Sequence, residues 1–79
     1  INNKVFNAKI GDWDVGNVNK LSYMFADTSF NQNVNNWDIS KVSDISSMFA
    51  GNQAFDQPLS DWNVGSVNKM SGIFQNSNI

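Results

Sequence analysis

The apolar positions of this chain follow one pattern written three times. Trp13, Trp37 and Trp62 stand 24 and 25 residues apart, and seven residues before each is a phenylalanine: Phe6, Phe30, Phe55. An aliphatic residue lies three before each tryptophan (Ile10, Val34, Leu59) and another two after it (Val15, Ile39, Val64). A valine follows at five (Val18, Val42, Val67), and Leu21, Ile45 and Met70 follow at eight. Each unit closes on an apolar pair, Met24-Phe25, Met48-Phe49 and Ile73-Phe74. Self-similarity at a period of roughly 20–50 residues marks a stack of repeats, because one such unit cannot bury its own apolar face. The repeats read as about 6–29, 30–54 and 55–79 of a single repeat domain spanning 1–79. The single length change falls in the polar stretch Ala50-Gly51-Asn52-Gln53, where a loop tolerates an extra residue.

Two periods predict two elements per repeat. Polar and apolar residues alternate over 12–15, 36–39 and 61–64, which predicts a short half-buried strand. Leu21, Met24 and Phe25 then stand at i, i+3 and i+4, as do Ile45, Met48, Phe49 and Met70, Ile73, Phe74. That spacing predicts short helices at about 20–25, 44–50 and 69–75, capped by Asn19, Ser43 and Asn68. The expected fold class is an α/β repeat: a short leucine-rich-repeat-like solenoid of about three strand–turn–short-helix repeats with a parallel sheet. The tryptophans would then form one internal column and the phenylalanines two more.

The residues at this point carry a resemblance. Leu59-x-x-Trp62-x-Val64-x-x-Val67 resembles a leucine-rich repeat core with tryptophan in one leucine position. The longer unit from Phe30-Asn31-Gln32 through Trp37-Asp38-Ile39-Ser40 to Met48-Phe49 resembles the BspA-like leucine-rich repeat, the bacterial surface-protein repeat also called DUF285. The resemblance covers nearly the whole chain. It departs from the wider leucine-rich class at the ninth position, usually an asparagine that bonds the turn backbone, where Val18, Val42 and Val67 stand instead. The resemblance implies a cell-surface or secreted module that adheres to another protein, such as a host extracellular protein, and it brings no catalytic residues. The start Ile1-Asn2-Asn3, without an initiator Met, is read as the start of a fragment cut from a longer repeat protein.

Composition narrows the chemistry further. The chain has 79 residues, no cysteine and no histidine. Disulfides, thiolate ligands and the commonest general base are therefore absent. Every charged side chain is lysine or aspartate, five against seven, for a net charge of −2. Dispersed lysines on an acidic chain argue against nucleic-acid binding. No apolar run approaches the ~20 residues that cross a bilayer, so membrane insertion is not expected. No nucleophile elbow, phosphate loop or paired-carboxylate pocket is legible, so no enzyme activity, no cofactor and no metal site is expected.

The candidate binding residues flank the tryptophans: Asp12, Asp14, Asn36, Asp38, Asp61 and Asn63. Stacked repeats would align them on a concave strand face, where solenoids commonly bind partners. The plainer reading is that they are solvent-facing residues that discourage edge pairing. The leading function is thus a protein-interaction or adhesion module acting through that face. A structural spacer or stalk is the alternative, with self-assembly through uncapped ends as a third reading, since Ile1, Val5, Phe74 and Ile79 read as cut faces of a stack.

Overall fold

The computed structural model describes residues 5–77. Within them lie three stacked repeats measuring 28 × 26 × 21 Å. The repeats are built from turns rather than from strands and helices. Among the described residues there is no helix and no sheet. The only β pairing among the described residues is two isolated parallel bridges, Lys20 to Asp44 and Asp44 to Lys69. The expected α/β solenoid with a parallel sheet is therefore not what the chain forms.

The reason lies in where the backbone N–H groups go, since each buried one needs a partner. Over the segments expected to be helical, alternate N–H groups leave the repeat. Leu21, Tyr23, Phe25 and Asp27 donate to the carbonyls of Asp44, Ser46, Met48 and Ala50. Ile45, Ser47, Phe49 and Gly51 donate in the same way to Lys69, Ser71, Ile73 and Gln75. The intervening N–H groups close local turns instead, Met24 to Leu21, Ala26 to Tyr23 and Thr28 to Phe25 in the first repeat. In the first two repeats these N–H groups therefore go to partners other than the i−4 carbonyls of an α-helix.

Backbone handedness makes the same point. Tyr23, Ser47 and Gly72 have φ near +61°, +55° and +69°, and Asp27, Gly51 and Asn76 near +55°, +73° and +58°. Those are the third residues of the four-residue turns 21–24 and 25–28 and of their counterparts one and two repeats on. A positive φ at that place is the mark of a type II turn and is incompatible with a right-handed helix. Two such turns in tandem return the chain's apolar side chains to one side at the spacing of a helix. Asn19, Ser43 and Asn68 accordingly cap no helix. Ser43 donates its N–H to the Asn19 carbonyl, and its own carbonyl accepts from Asn68 and Lys69.

The predicted strands fail for the same reason. Around the second tryptophan, Asn36 is exposed, Trp37 buried, Asp38 exposed and Ile39 buried, so the alternation of faces is real. The N–H of each tryptophan, however, closes a local turn onto Ile10, Val34 or Leu59. With donors spent locally, these segments do not pair into a ladder. A side chain links the repeats here instead. The indole N–H of Trp37 donates to the Ile10 carbonyl at 3.0 Å, and that of Trp62 to the Val34 carbonyl at 2.9 Å.

The core is a set of ring files. Phe6, Phe30 and Phe55 stack in one file with centroids 5.7 and 6.2 Å apart. Phe25, Phe49 and Phe74 form a second, at 5.6 and 5.7 Å. The files touch each other at Phe25–Phe30 and Phe49–Phe55, 3.9 and 4.2 Å. Stacked pairs of this kind add about 0.5–1.5 kcal/mol each beyond the area they bury.

Polar interior groups are few and all are satisfied. Asn52 is fully buried at the corner that carries the extra residue. Its amide donates to the Phe30 carbonyl, and its oxygen accepts from the N–H of both Ala54 and Phe55. The insertion is thus absorbed by one side chain spanning the longer corner. No buried side-chain nitrogen or oxygen among the described residues lacks a partner.

Candidate functional site

The six candidate residues divide into two sets. Asp14, Asp38 and Asn63 stand two residues before Gly16, Ser40 and Gly65, and each side chain accepts that residue's N–H at 3.0 Å. These are Asx turns, in which a short carboxylate or amide replaces a backbone acceptor. They open the tight turns in which Val18, Val42 and Val67 donate to Val15, Ile39 and Val64. Each of these turns is thus fastened by an Asx residue upstream of its valine. Asp38 also accepts from the Ser40 hydroxyl at 2.6 Å. The Ser40 hydroxyl first, then its N–H and the nearby Lys41, hold the Asp38 carboxyl below its ordinary pKa of 3.8.

Asp12, Asn36 and Asp61 form the other set. They are exposed and are the third residues of the turns that end on the tryptophans. Asp61 is tied to the preceding repeat, its N–H to the Asn35 side-chain oxygen at 3.0 Å and its carboxylate to the Asn35 amide at 3.1 Å. Neighbouring repeats keep the Asx residues close. A Cβ added at Gly16 would lie 3.2 Å from the Asp14 carboxylate and 3.9 Å from that of Asp38. The six residues therefore recur in register on the outside of successive turns. They do not line a concave strand face, because the described residues form no sheet.

A second polar file runs between the repeats. Asn31 donates its N–H to the Asn7 side chain, and Asp56 donates its own to the Asn31 side chain, both at 2.8 Å. Gln32 and Gln57 reach back to the carbonyls of Asn7 and Asn31. The Phe-Asn-Gln spelling is thus an amide ladder between repeats, as the plain reading of the chain's many asparagines expects.

Another is the file of Lys20, Asp44 and Lys69, whose backbones are bridged. The Asp44 side chain accepts the Ser46 N–H at 2.9 Å. That bond, then the Ser46 hydroxyl and more weakly the flanking Lys69 and Lys20, holds the Asp44 carboxyl below 3.8.

What these files share is their period. A polar residue returns at the equivalent place in each 24- or 25-residue unit. The family described as "Mycoplasma protein of unknown function, DUF285" matches residues 1–79, the whole chain. The chain belongs to the DUF285 family. No curated protein and no solved structure matches it.

In this DUF285 domain no three acidic side chains among the described residues gather as a metal site. A depression of about 400 Å³ is lined by Asp27, Thr28, Ser29, Gly51, Gln53 and Ala54. It lies beside the longer corner and holds none of the six candidate residues. No helix among the described residues is long and apolar enough to cross a membrane.

Proposed function

We propose that this DUF285 domain is a non-enzymatic protein-interaction or adhesion module of a bacterial surface or secreted protein. Its partner is another protein, for which a host extracellular protein is the leading class. The observation that carries this reading is the exposed row Asp12, Asn36 and Asp61 beside the Asx row Asp14, Asp38 and Asn63. Hydrogen bonds hold the Asp14, Asp38, Asn63 and Asp61 side chains, so little of their conformational entropy remains to be lost on binding. Four of the six are carboxylates, which favours a partner with a basic strip. The resemblance to the BspA-like surface repeat supports the same reading and the location it implies.

The alternative is a spacer, and one observation favours it. Asp14, Asp38 and Asn63 already serve the turns beside them, so their recurrence needs no ligand. The folded chain should be screened against immobilised extracellular-matrix and plasma proteins beside two variants. The first, Asp14→Asn with Asp38→Asn, removes charge and keeps the turn bond, as Asn63 does. The second, Asp12→Lys with Asn36→Lys, reverses the exposed row. Saturable binding lost in either variant establishes the module. Binding retained in both moves the site off these rows, and no binding by folded protein leaves the spacer.

A further inference from the structure

The corners that close the first and second repeats differ in length, and a depression lies between them. The shorter corner, 26–29, separates Phe25 from Phe30, and the longer, 50–54, separates Phe49 from Phe55. Asp27, Thr28 and Ser29 line the depression on one side, and Gly51, Gln53 and Ala54 on the other. Asn52 of the longer corner is fully buried and lines none of it. The place of the Asp27 side chain is set by the backbone. Asp27 has φ +55°, and its carboxylate lies against Gly51, where a Cβ would overlap one of its oxygens. The glycine at 51 is what leaves that carboxylate room.

The donors around this depression are largely committed. Thr28 is buried, and its hydroxyl donates to the Phe25 carbonyl at 2.7 Å. The same oxygen accepts from the Phe30 N–H and from the Asn52 amide. The N–H groups of Asp27, Thr28 and Gly51 donate to the carbonyls of Ala50, Phe25 and Gln75, and that of Ala54 to the Asn52 side chain. The Gln53 amide donates to the Asn76 carbonyl at 2.9 Å. The Asp27 carboxylate is the exception. It is the one charged group of the lining, and it makes no hydrogen bond or ion pair with a described residue.

We propose that this depression takes the guanidinium of an arginine side chain presented by a partner protein. A lining whose donors are spent and whose open group is a carboxylate selects a ligand that carries donors and positive charge. A guanidinium supplies both, in a planar fork that matches a carboxylate with two parallel bonds. It is also more weakly hydrated than an ammonium, so it gives up water at lower cost. The site contains none of the six residues of the two rows, so it stands or falls apart from them. Only the protein nature of the occupant rests on the proposed function.

The test is a titration of the isotope-labelled chain with N-acetyl-arginine methylamide at low salt, followed through its backbone amide resonances. The citrulline analogue, nearly the same shape without the charge, runs beside it. Asp27→Asn removes the carboxylate and keeps the left-handed backbone, as Asn76 does at φ +58° in the third repeat. Asp56→Asn removes a charge elsewhere and places there the residue type found at the equivalent positions, Asn7 and Asn31. The expected result is a saturable shift centred on 27–29 and 51–54 with the arginine probe and none with the citrulline probe. That shift is lost in Asp27→Asn and kept in Asp56→Asn, while the rest of the Asp27→Asn spectrum overlays that of the unaltered chain and shows it folded. The proposal is overturned by the absence of a saturable shift or by an equal one from the citrulline probe. It is overturned as well by a shift that survives Asp27→Asn, that disappears in Asp56→Asn, or that spreads evenly over all the aspartates.

Discussion

The second repeat and its two neighbours carry the same apolar pattern in very different surroundings. Trp37 is 3% exposed, whereas Trp13 at the same place in the first repeat is 54% exposed. Ile45 is 3% exposed and its counterpart Met70 is 47% exposed. The middle repeat has a neighbour on each side, and the outer repeats have one among the described residues. Burial here belongs to a position in the stack and not to a residue type, as expected where each unit touches only the next. The outer repeats are therefore the soft ends of the molecule, and the middle repeat is its most consolidated part.

The largest expected effect tests that contrast directly. Trp37→Ala removes a buried indole and its bond to Ile10 and should cost about 3–5 kcal/mol. That is a large part of the ~4–12 kcal/mol expected for a domain of this size. Trp13→Ala should cost at most about half as much, because half its surface is already in water. Urea unfolding of the two variants reads the difference. Equal losses would mean that the ends are as consolidated as the middle.

A smaller effect comes from the turns. Gly51→Ala and Gly72→Ala each place a side chain at positive φ, a penalty of roughly 1–2 kcal/mol. In the middle repeat the new methyl also collides with the Asp27 carboxylate, whereas at Gly72 the nearest atom is the Gln75 side-chain oxygen at 3.1 Å. The Gly51 variant should be the less stable of the two in thermal unfolding. The reverse order would place the tighter turn in the outer repeat.

The smallest effect is a pH dependence. The Asp38 carboxyl is held below its ordinary value of 3.8 when folded, so the folded state favours its ionised form. Its contribution is therefore present above that value and is lost as pH falls through the lower folded value. Asp38→Asn keeps the turn bond, as Asn63 does in the third repeat, and should flatten the acid limb of stability below about pH 4. Asp44, whose carboxyl is also held below 3.8, remains in that variant, so an unchanged limb would assign the acid sensitivity to it.

Part of this was legible in the sequence. The period, the register and the eight recurring apolar positions were readable, as were two phenylalanine files and a burial alternation around Trp37. The secondary structure was not. Leu21, Met24 and Phe25 have helical spacing, but two tandem turns produce the same in–out pattern as a helical turn and a half. A signal was present and went unread: the equivalent positions 27, 51 and 76 are Asp, Gly and Asn, all types that tolerate a left-handed backbone. Tyr23 at the matching φ of +61° gives no such hint. Of the six candidate residues, exposure was readable from the alternation. The Asx-turn role of Asp14, Asp38 and Asn63 was implicit in the Asp-x-Ser and Asn-x-Gly spellings but was not drawn from them.

What the sequence by itself determined is therefore the repeat: which residues are equivalent, which face inward, and where the extra residue is absorbed. These follow from spacing, and spacing survives any local conformation that returns the same side chains to the same side. The tertiary structure decided the conformation. An isolated unit of this length cannot hold its own shape, so its N–H groups take the best acceptors that the stack supplies. Those acceptors lie in the next repeat, 23 residues on between Leu21 and Asp44 and 24 residues on between Ile45 and Lys69. No local pattern records a bond whose partner is that far along the chain.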